Sequence, residues 1–278
     1  MSVQEDDRKA FIDQLRIMGK LGRGAAVDRV LEAFRQVPRE RFVGPGPWIL
    51  HAPHAGRASI VTPDDDPRHL YQCVLIVLDE IAGINIGEPS LWAKMFVKLN
   101  IHDGCSVLQI GAGTGYYTAI LARLVGSGRV LAFEAEKHLA DMAARNLACI
   151  GNVELRHGNG ATDLMPQDGA FDLIVAFAGV THPVGVWCKH LLPTGRMLLP
   201  VTGLLGWGAM VLLENADPVM EASTLGACGF YPCQGARDDD LAARIDGMWL
   251  DRRRTEGHHL QLRMEGDETR YLIDGQVF

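Results

Sequence analysis

The chain has 278 residues, of which 47% are hydrophobic and 22% are charged, as in a globular protein with one large domain or slightly more. A net charge of −7 argues against broad binding to nucleic acid or to an anionic membrane. The six cysteines show no C-x-x-C pair and no zinc spacing, and the polar amino terminus lacks a signal-peptide core. We therefore expect a cytoplasmic protein without a metal site.

The first hundred residues predict helices around a less regular segment. Apolar residues fall on one helix face over residues 10–18 and again over 25–36, and Pro38 ends the second helix. Residues 44–66 are rich in Gly, Pro, His and Asp and predict a loop. A strand is predicted at 71–78, a connector at 79–89 and a helix at 90–99. Ser90 is the expected N-cap of that last helix unless it lies at the functional site.

A glycine-rich turn follows the most apolar strand. The run at 106–110 predicts a buried strand, residues 111–115 read Gly-Ala-Gly-Thr-Gly, and residues 116–125 predict a helix. A strand, a glycine turn and a helix in this order are typical of a nucleotide site in an α/β sheet, because glycine permits positive φ and close approach of a ligand. The alternative is a tight turn that binds nothing.

An acidic residue ends the next predicted strand, at 130–133. Glu134 lies 23 residues beyond Gly111, and a carboxylate there can accept hydrogen bonds from both ribose hydroxyls. The G-x-G-x-G spacing with this acid resembles class I S-adenosylmethionine methyltransferases and differs from the G-x-G-x-x-G of dinucleotide enzymes. The resemblance implies S-adenosylmethionine as cofactor, held by Gln109, Gly111, Ala112, Gly113, Thr114, Gly115, Tyr116, Glu134, Ala135, Gly158, Asn159 and Gly160.

Strands and helices continue to alternate after Glu134, which predicts a parallel, doubly wound sheet. The predicted helices lie at 137–147 and 186–192, and the strands at 153–156, 171–176, 196–201, 209–214 and 226–232. Residues 197–213 carry no charge, but Pro200 and three glycines favour two buried strands around a turn over a membrane span. A helix at 238–251 and a hairpin of 259–263 with 269–273 complete the chain.

Residues 8–237 resemble the protein-L-isoaspartate O-methyltransferase family. The most specific match is Val-Pro-Arg-Glu-Arg-Phe-Val at 37–43, which generic methyltransferases lack. The resemblance implies a Rossmann-like, seven-stranded methyltransferase sheet with amino-terminal helices and a C-terminal extension. It also implies methyl transfer to a carboxylate. The expected organisation is an acceptor-side region at 1–100, a cofactor-binding domain at 101–237 and the extension at 238–278.

The acceptor side departs from the family pattern. Relatives carry T-I-S-x-P where this chain has Asn-Ile-Gly-Glu-Pro at 85–89, so Gly87 replaces the serine. Glu88, Ser90 and His182 are the candidate catalytic residues. A carboxylate acceptor is already ionised and needs no base, whereas a hydroxyl or amine would need one, with His182 best placed. Glu88 beside the site would repel an anionic acceptor.

Several functions stay open at this stage. The acceptor is a peptide or protein carboxylate, or else a small metabolite or modified peptide. The third alternative is a non-catalytic protein that binds the cofactor or a partner. The sequence is also compatible with a homodimer.

Overall fold

The computed structural model describes residues 5–52, 59–216, 219–250, 260–265, 268–273 and 276–277. Contacts divide the chain into two compact units, and each is made of several segments. The first unit joins Met1–Gly104, Ala112–Gly128 and His138–Val153. The second joins Cys105–Gly111, Arg129–Lys137 and Glu154–Phe278.

The first unit contains long amphipathic helices. They are α1 (Glu5–Met18), α2 (Ala25–Gln36), α3 (Pro89–Leu99), α4 (Tyr116–Val125) and nearly all of α5 (Lys137–Leu147). The apolar faces predicted from the sequence are buried, with Phe11, Leu15 and Phe34 at most 1% exposed. The Arg29 guanidinium donates to the carbonyls of Ile101 and Leu124 at 2.6 and 3.0 Å, which fixes α2 beside the ends of α3 and α4.

A small antiparallel sheet also belongs to the first unit, in the order β2-β1-β3-β4. Its strands are β1 (Ile49–His51), β2 (Ser59–Val61), β3 (Leu75–Asp79) and β4 (Ile84–Ile86). The predicted loop at 44–66 and the connector at 79–89 therefore both contain strands. The strand predicted at 71–78 starts later, at Leu75. The Arg39 guanidinium donates hydrogen bonds to the carbonyls of residues 70, 72 and 74, so these carbonyls bond a side chain in place of a neighbouring strand.

The second unit contains the large sheet. Strand β5 (Ser106–Ile110) pairs in parallel with β6 (Arg129–Glu134) and with β8 (Phe171–Ala176), and β8 pairs in parallel with β9 (Leu191–Thr202). Strand β7 (Val153–His157) lies beside β6, and helix α6 (Gly185–Lys189) precedes β9. The antiparallel strands β10 (Trp207–Ala216) and β11 (Val219–Gly229) follow β9.

The order β7-β6-β5-β8-β9-β10-β11 gives the seven-stranded sheet expected from the sequence. The charge-free stretch at 197–213 forms most of β9 and β10, as predicted, and β11 begins earlier than the predicted 226–232. In the described ranges, no helix is long and apolar enough to cross a membrane.

The C-terminal extension adds a helix and further strands. They are α7 (Asp239–Leu250), β12 (Leu260–Glu265), β13 (Glu268–Ile273) and β14 (Gln276–Val277). The predicted hairpin is confirmed as β12 paired with β13, although the middle of its turn, residues 266–267, lies outside the described residues. Strand β12 pairs with β11, so the extension continues the large sheet at its antiparallel edge.

Candidate active site

The loops that carry the predicted cofactor residues meet at the carboxyl ends of the parallel strands. The amide of Gly111, after β5, donates to the carbonyl of Phe133 at 2.9 Å. The amide of Gly158, after β7, donates to the carbonyl of Glu134, also at 2.9 Å. In the same way, Phe177, after β8, donates to Ile110 at 2.8 Å. This edge is where an open α/β sheet binds its ligand.

Gln109 has an unused acceptor at this edge. Its side chain is fully buried, and Nε2 donates weakly to the carbonyl of Gly111 at 3.4 Å. Within the part of the chain that the structure describes, Oε1 has no hydrogen-bond partner. A buried acceptor without a donor is costly, about 1–3 kcal/mol. A ligand with an N–H or O–H group would remove that cost, so Gln109 fits the cofactor.

The glycines of the turn are not equivalent. Gly111, Gly113 and Gly115 all have positive φ, of 85°, 57° and 95°. A Cβ at Gly113 would meet nothing within 4 Å, whereas a Cβ at Gly115 would lie 2.9 Å from the Leu147 side chain. The backbone at Gly113 is therefore open to a ligand, while Gly115 is required for packing. The turn closes through the Gly115 amide, which donates to the carbonyl of Ala112 at 2.9 Å.

Thr114 and Tyr116 flank that last glycine, and both are buried. Neither hydroxyl has a hydrogen-bond partner among the described residues. The ring of Tyr116 packs against Phe42 at 5.6 Å and against Tyr117 at 5.0 Å between centroids. Burial raises the pKa of Tyr116 well above its usual range, so the phenol stays neutral.

Glu134 ends β6 with a buried carboxylate, and its Oε1 accepts from the amide of Glu136 at 3.0 Å. This bond closes a turn over Ala135, which is half-buried. The carboxylate is thus fixed in direction at the strand end. Two acceptor oxygens at such a position suit a pair of adjacent hydroxyls.

The turn after β7 presents Asn159. Its Oδ1 accepts from the amide of Ala161 at 2.9 Å, which leaves the side-chain amide group as the remaining donor. Gly160 lies tightly against the sheet, since a Cβ there would be 2.5 Å from Ile110 and 3.1 Å from Phe133. Its carbonyl accepts from the Trp187 indole at 2.8 Å.

Glu88, and not Ser90, is the N-cap of α3. Glu88 Oε1 accepts from the Ser90 amide at 3.0 Å, and Oε2 accepts from the Leu91 amide at 2.7 Å. The Ser90 hydroxyl also donates to Oε2, at 2.8 Å. The expectation that Ser90 caps the helix is wrong because the helix already begins at Pro89. Ser90 therefore lies in the first turn, where its own amide and that of Leu91 are the free donors that the Glu88 side chain accepts. Both Glu88 and Ser90 are buried.

Gly87 cannot carry a side chain in this arrangement. A Cβ there would lie 2.6 Å from the indole nitrogen of Trp92. The carbonyl of Gly87 accepts from the Tyr117 hydroxyl at 2.5 Å, which ties the start of α4 to this segment. Trp92 therefore fills the space that the side chain of the family serine would need.

His182 lies in the segment after β8, six residues beyond the end of the strand. Its Nδ1 is 2.9 Å from the Thr181 hydroxyl. Burial lowers the pKa of His182, and the nearby Arg237 acts in the same direction while Asp238 opposes it. The imidazole is therefore neutral at pH 7.

Thr181 and Arg237 also lie at this edge, and neither belongs to a sequence motif that would have predicted it. Thr181 is fully buried and bonds both His182 and the amide of Asp238. The Arg237 guanidinium donates to the carbonyls of Thr202 and Gly203, each at 2.9 Å. Their roles depend on tertiary contacts between distant segments, which residue type and spacing do not reveal.

A parallel sheet with a glycine turn after its central strand and a buried acid after the next one defines the class I S-adenosylmethionine-dependent methyltransferases. Comparison with known proteins agrees with that class. Residues 64–237, more than half of the chain, match the family model described as protein-L-isoaspartate(D-aspartate) O-methyltransferase. The chain belongs to this family, so it is a methyltransferase and its cofactor is S-adenosylmethionine.

Named relatives support the assignment, and a solved structure shares the fold. Protein-L-isoaspartate O-methyltransferase 1 of Rhodopseudomonas palustris is 35% identical over 64% of this chain and 64% of its own length. The enzyme of Methylorubrum extorquens is 33% identical over 76% of this chain and 83% of its own length. A Plasmodium falciparum crystal structure, named for the same activity and holding S-adenosyl-L-homocysteine, shares the fold with a TM-score of 0.63. That structure is 17% identical, and the match covers 82% of this chain and 98% of that one.

Proposed function

We propose that this methyltransferase transfers a methyl group to the carboxylate of isoaspartyl residues in peptides or proteins. The observation that carries the proposal is the extent of the family match. It begins at residue 64, well before the glycine turn, and runs to residue 237, so it includes the acceptor-side segment at 85–90. Relatives that match 64% and 76% of this chain are named for isoaspartate.

The cofactor-binding residues follow from the polar groups at the carboxyl edge. Glu134 accepts from the ribose hydroxyls, the Asn159 amide faces the adenine edge, and Gln109 accepts from the methionine amino group. Gly111, Ala112, Gly113, Thr114, Gly115 and Tyr116 form the turn beside the cofactor, with Ala135, Gly158 and Gly160 completing the loops. Two observations support this assignment: Gln109 Oε1 has no partner within the described ranges, and there is open space at Gly113. When bound, S-adenosylmethionine supplies an electrophilic methyl group.

The acceptor side is assigned to residues 1–100, with His182 from the segment after β8. Glu88 and Ser90 end the stretch that aligns with the family acceptor motif, and their mutual hydrogen bond gives the α3 N-terminus a fixed shape. Residues 101–237 bind the cofactor, and residues 238–278 are an added extension. A carboxylate acceptor needs positioning and exclusion of water but no base.

A peptide assay tests the proposed acceptor. The same short peptide is prepared with one isoaspartyl linkage and with the ordinary aspartyl linkage, and each is incubated with radiolabelled S-adenosylmethionine. We expect label on the isoaspartyl peptide alone, released by mild base as methanol because the product is an ester. Tight cofactor binding without a base-labile product would refute isoaspartate as the acceptor.

A second candidate is the same chemistry on a different acceptor, such as a small metabolite or a modified peptide. It is favoured by the buried Glu88 carboxylate beside Gly87, where a serine side chain would collide with Trp92. A negative charge there disfavours an anionic acceptor. Label that resists base, on an amine or hydroxyl compound from a metabolite panel, would establish this alternative. A panel without turnover would dismiss it.

Compartment and assembly belong to the proposal as well. We place the protein in the cytoplasm, which is supported by its six free cysteines, since reducing compartments keep thiols unpaired. A homodimer is one assembly that is compatible with the sequence, and light scattering on the purified chain measures the oligomeric state directly.

A further inference from the structure

Tyr117 connects the helix after the glycine turn to the segment that precedes α3, within the first unit. It is the second residue of α4, its side chain is buried, and its hydroxyl donates to the carbonyl of Gly87 at 2.5 Å. Burial raises the pKa of the Tyr117 phenol well above its usual range. The hydroxyl therefore keeps the proton that it donates to Gly87 at neutral pH.

Trp92 packs against this contact. Its ring lies 5.6 Å from the ring of Tyr117 between centroids, within the range of favourable aromatic pairs. A Cβ at Gly87 would lie 2.6 Å from the indole nitrogen and 3.7 Å from the ring of Tyr117. Glycine at this position thus leaves the space that the indole fills. We call Gly87, Trp92 and Tyr117 the aromatic clasp.

One end of the clasp adjoins the cap of α3. Glu88, the residue after Gly87, accepts from the amides of Ser90 and Leu91 at 3.0 and 2.7 Å. These two amides exchange their hydrogens with solvent only when the cap opens, so their exchange rates report its local stability. The Tyr117 hydroxyl fixes the carbonyl next to the cap and thereby opposes that opening.

The other end of the clasp adjoins the glycine turn. The Gly115 amide donates to the carbonyl of Ala112, and the Ala119 amide donates to the carbonyl of Gly115, each at 2.9 Å. Tyr117 lies between these two bonds, so the turn and the start of α4 form one hydrogen-bonded piece. A ligand that binds at the open backbone of Gly113 restricts the motion of this piece and of the tyrosine that it carries.

We propose that Tyr117 is a positioning residue that transmits cofactor binding from the glycine turn to the cap of α3, so that S-adenosylmethionine stabilises the arrangement of residues 87–92. The inference rests on the proposed place of the cofactor beside Gly113, and it does not depend on the identity of the acceptor. Glu88 and Ser90 are held more firmly when the cofactor is bound. The segment that carries these two candidate acceptor-side residues is thus prepared before the acceptor arrives.

Amide hydrogen exchange with and without S-adenosylhomocysteine tests the transmission in the wild type. Calorimetry first sets the concentration at which the protein is saturated. We expect the ligand to slow exchange at Gly113 and Thr114, and to slow it about five- to tenfold at Ser90 and Leu91, the factor that one hydrogen bond supplies. Slowing at the turn without slowing at the cap would overturn the proposal and leave the cofactor site standing. Slowing at neither place would refute both the transmission and the place of the cofactor.

Variants assign the transmission to the hydroxyl. Tyr117→Phe keeps the ring, so saturation with the ligand should still slow exchange at the turn but change it less than about twofold at the cap. Tyr71→Phe is the matched control, because it removes another hydroxyl of the first unit, which donates to Glu40 at 2.6 Å, and it should keep the full slowing at the cap.

A merely structural role of Tyr117 predicts a different result. A general loss of stability speeds exchange with and without the ligand alike, so it leaves the effect of the ligand unchanged. Equal slowing at the cap in the wild type and in Tyr117→Phe would therefore exclude Tyr117 as the transmitting residue. The wild-type comparison alone can refute the proposal, so the test does not depend on the folding of any variant.

Discussion

The carboxyl edge of the large sheet and the N-terminus of α3 differ in how their polar side chains are hydrogen-bonded. At the sheet edge, the buried Gln109 Oε1 has no hydrogen-bond partner among the residues that the structure describes. The Asn159 side chain uses its oxygen within the turn, so its amide group is the part that can bind a ligand. At the start of α3, both oxygens of Glu88 accept hydrogen bonds from Ser90 and Leu91. A ligand with an N–H or O–H group would satisfy the Gln109 oxygen in the first region, whereas the Glu88 oxygens in the second already accept from the chain.

This difference separates what the chain shares with its family from what it has changed. A cofactor is a fixed chemical object, so the groups that bind it keep their type and spacing. An acceptor site changes with its substrate, and here a glutamate cap and Trp92 occupy the region of the family serine. The predictions below test whether cofactor binding and the α3 region respond independently to mutation.

The largest effect is expected at the sheet edge. Glu134→Ala removes the carboxylate that we propose accepts from two ribose hydroxyls, which should weaken binding of S-adenosylhomocysteine by about 3 kcal/mol, or roughly 100-fold in Kd. Isothermal titration calorimetry measures this, with the exposed Glu221→Ala on β11 as the matched control. An unchanged Kd in the Glu134 variant would remove that residue from the cofactor site.

Arg39 should affect the stability of the first unit and leave the cofactor alone. Its buried guanidinium donates to the carbonyls of Leu70, Gln72 and Val74 and lies 5.5 Å from the ring centroids of Phe11 and Tyr116. Arg39→Met leaves three carbonyls without that donor, so the free energy of unfolding should fall by about 2–3 kcal/mol.

Urea denaturation of Arg39→Met beside the exposed Arg41→Met provides the measurement. A stability loss in both variants of equal size would contradict the assignment of a special role to the buried guanidinium. A large loss of cofactor affinity in a folded Arg39 variant would show that the two regions are coupled.

Two glycines of the turn should respond differently to alanine. At Gly115 the new methyl group would collide with Leu147 at 2.9 Å, and we expect a loss of about 2 kcal/mol in unfolding free energy. At Gly113 there is room, so stability should fall by only about 1 kcal/mol for the left-handed backbone. Cofactor Kd should nevertheless rise about tenfold in Gly113→Ala, because the methyl group lies where the ligand approaches the backbone.

Calorimetry and urea denaturation on both variants separate the two causes. If Gly113→Ala binds S-adenosylhomocysteine normally, the ligand does not approach that part of the turn. If Gly115→Ala is as stable as the wild type, Leu147 has room to move aside and the packing argument fails.

Sequence reasoning succeeded where the structure is local or repetitive. The bounds of α2, α4, α5, β5 and β8 agree with prediction, because regularly spaced or continuous apolar residues determine them. In α4, Gly115 and Gly126 also mark both ends. It failed over residues 44–89, where the strands β1 to β4 are short. In this region the buried Arg39 also donates to backbone carbonyls, and residue type and spacing do not reveal that contact. The cap of α3 was misassigned for a similar reason, since serine is the better cap by type and only geometry shows that Glu88 reaches the amides.

The smallest expected effect lies at Ser90. If its hydroxyl only supports the Glu88 cap, Ser90→Ala should lower the unfolding free energy by about 1 kcal/mol and leave KM for the isoaspartyl peptide near the wild-type value. If the hydroxyl contacts the acceptor, KM should rise about tenfold with little change in stability.

Glu88→Gln is the companion variant: it keeps the side-chain length but places an amide against N–H donors, so it should weaken the cap and remove the negative charge. A lower KM for an anionic peptide in Glu88→Gln, with Ser90→Ala silent, would show that the glutamate sets acceptor preference through its charge. Unchanged KM in both variants would make the α3 N-terminus purely structural, and the search for acceptor contacts would turn to His182.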